Sequence, residues 1–295
     1  MKTAIALFVF NRPDITQQVF NAIRQVKPEK LFVVADGPRK THPNDAEKCI
    51  AVRAIVNTFD WKCKISTNYA DINMGCKNRL SSGLDWVFEQ VEEAIILEDD
   101  CLPDPSFFPF CEELLERYRN NDKIMAISGD NFQFGRKRTE YSYYFSIYNH
   151  CWGWATWRRA WQKYDVDMKQ WGHVNQTQFL KQFFPNFWPA RYWQNKFNQT
   201  YLGKMNTWDY QWTFSCWIND GLSILPEVNL VKNIGFDSSG THTTNQFNPY
   251  ANLKTRPISF PLKHPTEVVQ CQIADQFTQN HKFGFWLVLI ENSEI

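Results

Sequence analysis

The sequence predicts an α/β protein: a mostly parallel central sheet flanked by helices, followed by a helix- and aromatic-rich second half. Three observations carry this. In the first hundred residues, short apolar runs alternate with segments whose apolar residues recur at helical spacing, as in successive βα units. Each apolar run ends on polar or turn residues. From about residue 125 the alternation gives way to an irregular, aromatic pattern.

In chain order, the strand-like runs are Ile5–Phe10, Leu31–Ala35, Lys64–Tyr69 and Ala94–Leu97. The first is too short to span a bilayer and lacks a small-residue cleavage site, so it reads as a buried strand. Between the runs, Ile15, Val19, Ile23 and Val26 predict a helix with Asp14 as N-cap. Asn44 and Glu47 resemble a capping box ahead of Ile50, Ala54 and Ile55. Leu80, Leu84, Val87, Phe88 and Val91 make a third helical face. Further on, Ile124–Ser128 and Tyr141–Ile147 read as strands, and 176–184, 190–201 and 208–219 as helices. The apolar run Phe285–Ile290 reads as a late strand or a small docking patch. Without repeats or a long linker, residues 1–295 read as one domain: a nucleotide-binding half to about 125, an acceptor half with a loop to about 245, and an extension over 246–295.

Net charge is +1, which argues against a nucleic-acid partner. The eight Cys form no CxxC pair and no zinc-spaced cluster, pointing to reduced structural thiols in a cytoplasmic chain, free or membrane-peripheral, with no transmembrane anchor. The 13 Trp fit either a ligand cleft or an aromatic core. Trp154, Trp157 and Trp161, at i, i+3, i+7, read as core, whereas Trp152 or Trp154 beside Gly153 is the better candidate for a ligand-stacking platform.

In parallel sheets ligands sit at the carboxyl ends of strands. Asn11-Arg12, Asp36-Gly37, Ala70-Asp71 and Glu98-Asp99-Asp100 should therefore line one edge. Three acids directly after an apolar strand repel one another, and a hard divalent cation with oxygen ligands would compensate them. Alternation would send Glu98 and Asp100 to one face and Asp99 to the other. A solvated acidic turn is the alternative.

The run Leu97-Glu98-Asp99-Asp100-Cys101-Leu102-Pro103 resembles the metal- and nucleotide-binding motif of the N-acetylglucosaminyltransferase I family. Phe10-Asn11-Arg12-Pro13, Ala35-Asp36-Gly37, Gly83-Leu84-Asp85-Trp86-Val87-Phe88, Ser128-Gly129-Asp130-Asn131, Gly153-Trp154, Trp208-Asp209-Tyr210-Gln211-Trp212 and Gly240-Thr241-His242 are similar to family segments in matching order. The resemblance implies a GT-A (Rossmann-like) fold and inverting transfer of a sugar, GlcNAc in that family, from a UDP-sugar to a glycan or other hydroxyl acceptor, with Mn²⁺ or Mg²⁺.

It further implies Asp100 as metal ligand, with Glu98 and Asp99 on donor hydroxyls. Asn11, Arg12 and Arg79 would contact the nucleotide, and Asp36 the uracil N–H. Asp209 would be the base, and His242 is a candidate further metal ligand. The sequence departs from the family where Arg79 replaces a histidine and where Asp209-Tyr210-Gln211 replaces paired acids. Structural alternatives accompany each residue: Arg12 pairing with Asp14, Asp36-Gly37 as a turn, Arg79 as a solvated arginine, Asp209 as a helix N-cap. A turnover-free carbohydrate-binding or toxin-like protein is one competing function. A sugar-phosphate nucleotidyltransferase is another, disfavoured because no Gly-rich loop follows the first strand. The stretch Gly235–Thr244 has the small residues of a lid.

Overall fold

A computed structural model describes residues 1–236, 249–251 and 253–284. The chain begins with β1 (Ala4–Val9), α1 (Pro13–Val26), β2 (Lys30–Ala35), α2 (Asp45–Val56), β3 (Lys64–Tyr69), α3 (Gly75–Phe88) and β4 (Glu93–Glu98). There follow β5 (Cys101–Pro103), α4 (Phe107–Tyr118), β6 (Ile124–Ser128), β7 (Tyr143–Ser146), β8 (Trp154–Trp157) and α5 (Arg158–Trp161). The remainder is α6 (Gln176–Lys181), α7 (Phe187–Tyr201), α8 (Asp209–Ile218), β9 (Leu222–Pro226), β10 (Val231–Asn233) and α9 (Gln272–Lys282).

The fold is α/β, with a large mostly parallel central sheet flanked by helices. Its strand order is β3-β2-β1-β4-β8-β6-β9-β7. The β1–β2, β2–β3, β1–β4 and β6–β9 pairs are parallel, while β8 runs antiparallel to β4 and β6. From β1 the chain winds outward through β2 to β3, then crosses back to place β4 on the other side of β1. With right-handed crossovers this reversal puts α3 on the opposite face from α1 and α2. It also opens a crevice at the carboxyl ends of β1 and β4, the topological switch point. β1, β2 and β4 are buried on both faces, unlike the edge strand β3: β1 reads Ala-Ile-Ala-Leu-Phe-Val and every residue of it is buried.

The first four strands lie within one residue of their expected bounds at each end. Two helix starts differ. Pro13 opens α1, with Arg12 at the N-cap position, so Asp14 sits in the first turn, where it complements the helix dipole. At α2 no capping box forms; Asn44 has helical dihedrals and makes no side-chain cap bond. Asp45 turns inward to Arg39 and Asn11, which sets the buried stripe as Asp45, Cys49, Val52 and Val56. Ile50, expected in the core, is accordingly 69% exposed. Trp154, Trp157 and Trp161 are all buried, but the first two belong to strand β8, so their helical spacing is coincidental. Among the described residues no helix is long and apolar enough to cross a membrane. Phe285–Ile290 lies outside the described residues.

Candidate active site at the sheet switch point

A cleft of about 410 Å³ opens at the carboxyl ends of β1, β2 and β4. Asn11, Arg12, Asp36, Arg79, Glu98, Asp99, Asp100, Trp152 and Asp209 all line it, residues separated by up to two hundred positions in sequence. Ala70 and Asp71 do not, so three of the four strand-end clusters share this site. Trp154 does not either: it is 1% exposed and packs on Trp208, Trp212 and Trp161, which corrects its reading as a ligand-stacking platform. His242 and the stretch 237–244 lie outside the described residues.

Strand β4 ends at Glu98, and Asp99 and Asp100 occupy the turn that follows, so strand alternation no longer separates them. The turn is fixed on its far side: β5 pairs with β10, and Ile234 N donates to the Asp100 carbonyl at 2.8 Å. Gly235 comes so close that a Cβ there would lie 2.5 Å from Asp100 Oδ2 and 2.7 Å from Arg12 Nη1. A side chain at this position would have to displace the Asp100 carboxylate and the Arg12 guanidinium.

Arg12, carried at the N-terminus of α1, crosses the switch point. It is paired with Asp99 through Nη2, donates from Nε to Asp99 Oδ2 at 3.3 Å, and donates from Nη2 to Asp100 Oδ2 at 3.0 Å. Both Asp99 oxygens are therefore engaged by Arg12, which changes the expected labour: this pair organises the site rather than presenting a free acid and a free cation. Nor does Arg12 pair with Asp14. Burial, then Asp100 and Asp99, push the Glu98 carboxyl well above its ordinary range. Burial likewise raises Asp99, with Arg12 opposing.

One guanidinium thus faces three carboxylates. Among the described residues no group of three or more His, Cys, Asp or Glu is arranged to hold a metal by itself. The hard oxygen donors and the uncompensated charge nevertheless fit a dication of the kind bound by one or two carboxylates together with substrate phosphates.

Two residues expected to touch the donor are engaged by the protein. Asp36 accepts from Gly37 N, Met74 N, Gly75 N and the Asn73 amide at 2.8–3.1 Å, filling a carboxylate's acceptor sites. It ties the end of β2 to the start of α3 and leaves no lone pair for a uracil N–H. Arg79 is 6% exposed; it donates to the Ala35 carbonyl at 3.1 Å and, through Nη2, to Asn68. It is therefore neither a solvated arginine nor a fully available ligand contact. Asn11 donates its amide to Asp45 Oδ1 at 2.8 Å.

Asp209 is the first residue of α8, with Trp208 at the N-cap position. Its Oδ1 accepts from the Thr207 hydroxyl and from Tyr210 N at 2.9 Å, which orients the carboxylate within the cleft. Trp152 is half-buried, with its backbone N–H on Asp130 Oδ2 at 3.0 Å and its ring edge-on to Phe236 at 5.5 Å.

Sequence reasoning missed Arg39, Asn73, Cys76, Asn206, Thr207 and Asn233, which also line the cleft. Asn206 and Thr207 directly precede the Trp208-Asp209 segment, a signal that was present. Arg39 gave none: its place depends on pairing with Asp45 at 2.7 Å and covering Phe10 at 5.2 Å. Lys282, in the extension, lies beside Trp152, its Nζ 3.7 Å from the Phe132 centroid and 5.6 Å from that of Trp152.

No family model and no curated protein matches this chain. Among solved structures it is similar to galactosyltransferase LgtC in complex with donor and acceptor sugar analogs, at 12% identity and TM-score 0.39, covering 95% of this chain and 96% of that one. It is similar to 4-diphosphocytidyl-2C-methyl-D-erythritol synthase from Anaerococcus prevotii at 12% identity and TM-score 0.35, covering 63% and 85%. It is also similar to UDP-glucose pyrophosphorylase complexed with UDP-glucose at 14% identity and TM-score 0.28, covering 51% and 64%. Superpositions this loose carry no weight for function, and they do not support N-acetylglucosaminyltransferase I in particular.

Proposed function

We propose that this chain is a single-domain glycosyltransferase of GT-A type, transferring a sugar from a nucleoside diphosphate-sugar, UDP-linked by motif analogy, to a hydroxyl acceptor. One observation carries this reading: the acidic turn at the β1/β4 switch point shares its cleft with an oriented carboxylate, Asp209, brought from a distant helix.

The donor diphosphate would lie at the acidic turn, with Asp100 and Glu98 holding a divalent cation there and Arg12 and Asp99 keeping the turn in shape. When bound, the metal supplies charge to stabilise the departing diphosphate. Asp209 would take the proton of the acceptor hydroxyl as that oxygen attacks the anomeric carbon. Attack from the face away from the leaving group inverts configuration. Thr207 and Tyr210 N–H hold the base in register, and Trp152 offers a stacking surface for a sugar. The three-residue connection from Val9 to Pro13 leaves no room for a Gly-rich phosphate loop, which favours this reading over nucleotidyl transfer.

Asp209→Asn tests the assignment. Turnover of a UDP-sugar panel, followed by UDP release, should fall by about 10²-fold or more while UDP affinity is kept. Unchanged turnover removes Asp209 from the mechanism, and product NMR showing retained anomeric configuration contradicts its role.

A further inference from the structure

Residues 168–208 contain Lys169, Lys181, Arg191, Lys196 and Lys204 but not one Asp or Glu, in a chain whose net charge is only +1. The remainder of the molecule is therefore net acidic, and this stretch is a cationic one with no acid to offset it. It folds as a short 3₁₀ turn (Lys169–Gly172), α6 and α7. Helix α7 turns Trp193, Phe197 and Thr200 into the core.

Its outer surface carries large apolar groups at both ends. Phe187 is 68% and Trp188 64% exposed at the first turn; Tyr201 is 45% and Leu202 62% exposed at the last. Between them the exposed positions are Arg191 and Asn195. At 1.5 Å per residue the two apolar tips are about 20 Å apart.

A protein partner is matched by a contiguous, closely packed patch with an apolar centre. Here the apolar groups are separated, polar residues lie between them, and Lys181, Arg191 and Lys204 are exposed on the same stretch of chain. A fluid anionic surface requires no shape match: it attracts clustered cations and accepts aromatic side chains at headgroup depth. We propose that the outer face of α6 and α7 is a docking surface for an anionic lipid bilayer. Phe187, Trp188 and Leu202 enter the headgroup layer while Lys181, Arg191 and Lys204 meet lipid charge. Asn206 and Asp209, which line the cleft, follow Leu202 by four and seven residues, so docking sets the cleft rim beside the bilayer.

Flotation of the full chain with phosphatidylcholine vesicles, with and without phosphatidylglycerol, tests this independently of any catalytic reading. The wild type should float with the anionic vesicles and be released at high salt. The Phe187→Ser/Trp188→Ser and Lys181→Gln/Lys204→Gln variants should each lower the bound fraction about 10-fold, with UDP affinity and melting temperature unchanged. Equal binding to neutral vesicles, no binding, or variants that float like the wild type would overturn the proposal. So would loss of a concentration-dependent dimer in Phe187→Ser/Trp188→Ser without vesicle binding, which would make the surface a contact with a second copy.

Discussion

At the scale of single residues, the acidic turn is a packing problem as much as a chemical one. Three carboxylates stand where β4 ends, and their repulsion is contained by Arg12 on one side and by the β5–β10 ribbon on the other. Gly235 closes over them. Gly235→Ala would push a methyl group into Asp100 and Arg12, so it should weaken UDP binding about 10-fold or more with little change in far-UV circular dichroism. Wild-type UDP affinity in that variant would show that the turn tolerates displacement. The importance of the acids was legible from three charges after an apolar run. That Arg12 would neutralise part of them was not, since the pair joins residues 87 apart through a switch point only the topology creates.

At the scale of elements, the connections between strands and helices use side chains the sequence offers for other purposes. Asp36 joins β2 to α3 through four donors. Asp36→Ala would leave those donors unpaired in a nearly closed site and should cost about 2–4 kcal/mol, read as a lower urea midpoint. A midpoint within error of the wild type would show that water satisfies them. Asp45 ties α2 to the loop after β2 in the same way. Hydrogen bonds from Arg39, and then Asn11, hold its carboxyl at about pKa 2, below its unfolded value.

A depressed carboxyl stabilises the fold above the unfolded pKa and loses that contribution as pH falls through the folded value. With Arg39 partly exposed, about 1–2 kcal/mol should separate wild type from Asp45→Asn at pH 5 and shrink towards pH 2. A pH-independent gap would rule the ion pair out as its source. These ties explain which elements were legible. Buried strands such as Ala4–Val9 announce themselves by composition, and α1 by its period. The face of α2 was misjudged because Ile50 is the stronger apolar signal, while an inward Asp45 decides the rotation.

At the scale of the whole molecule, the winding order makes the site. Reversal of direction at β1 brings the ends of β1 and β4 side by side, and the aromatic second half sets Asp209 and Trp152 over the same crevice. That convergence was the testable geometry of the sequence, and most of the expected residues share one cleft, although Asp36 and Arg79 serve the scaffold. Trp154 was misplaced because Gly153 turns the chain into a buried strand just before it.

The central claim is that the acidic turn anchors a nucleoside diphosphate through a metal. Calorimetric titration with UDP, with and without Mn²⁺, on wild type and Asp100→Ala tests it most directly. The account predicts that Mn²⁺ tightens UDP binding to the wild type about 10-fold or more and that Asp100→Ala abolishes the gain. UDP binding indifferent to both the metal and the substitution would contradict it.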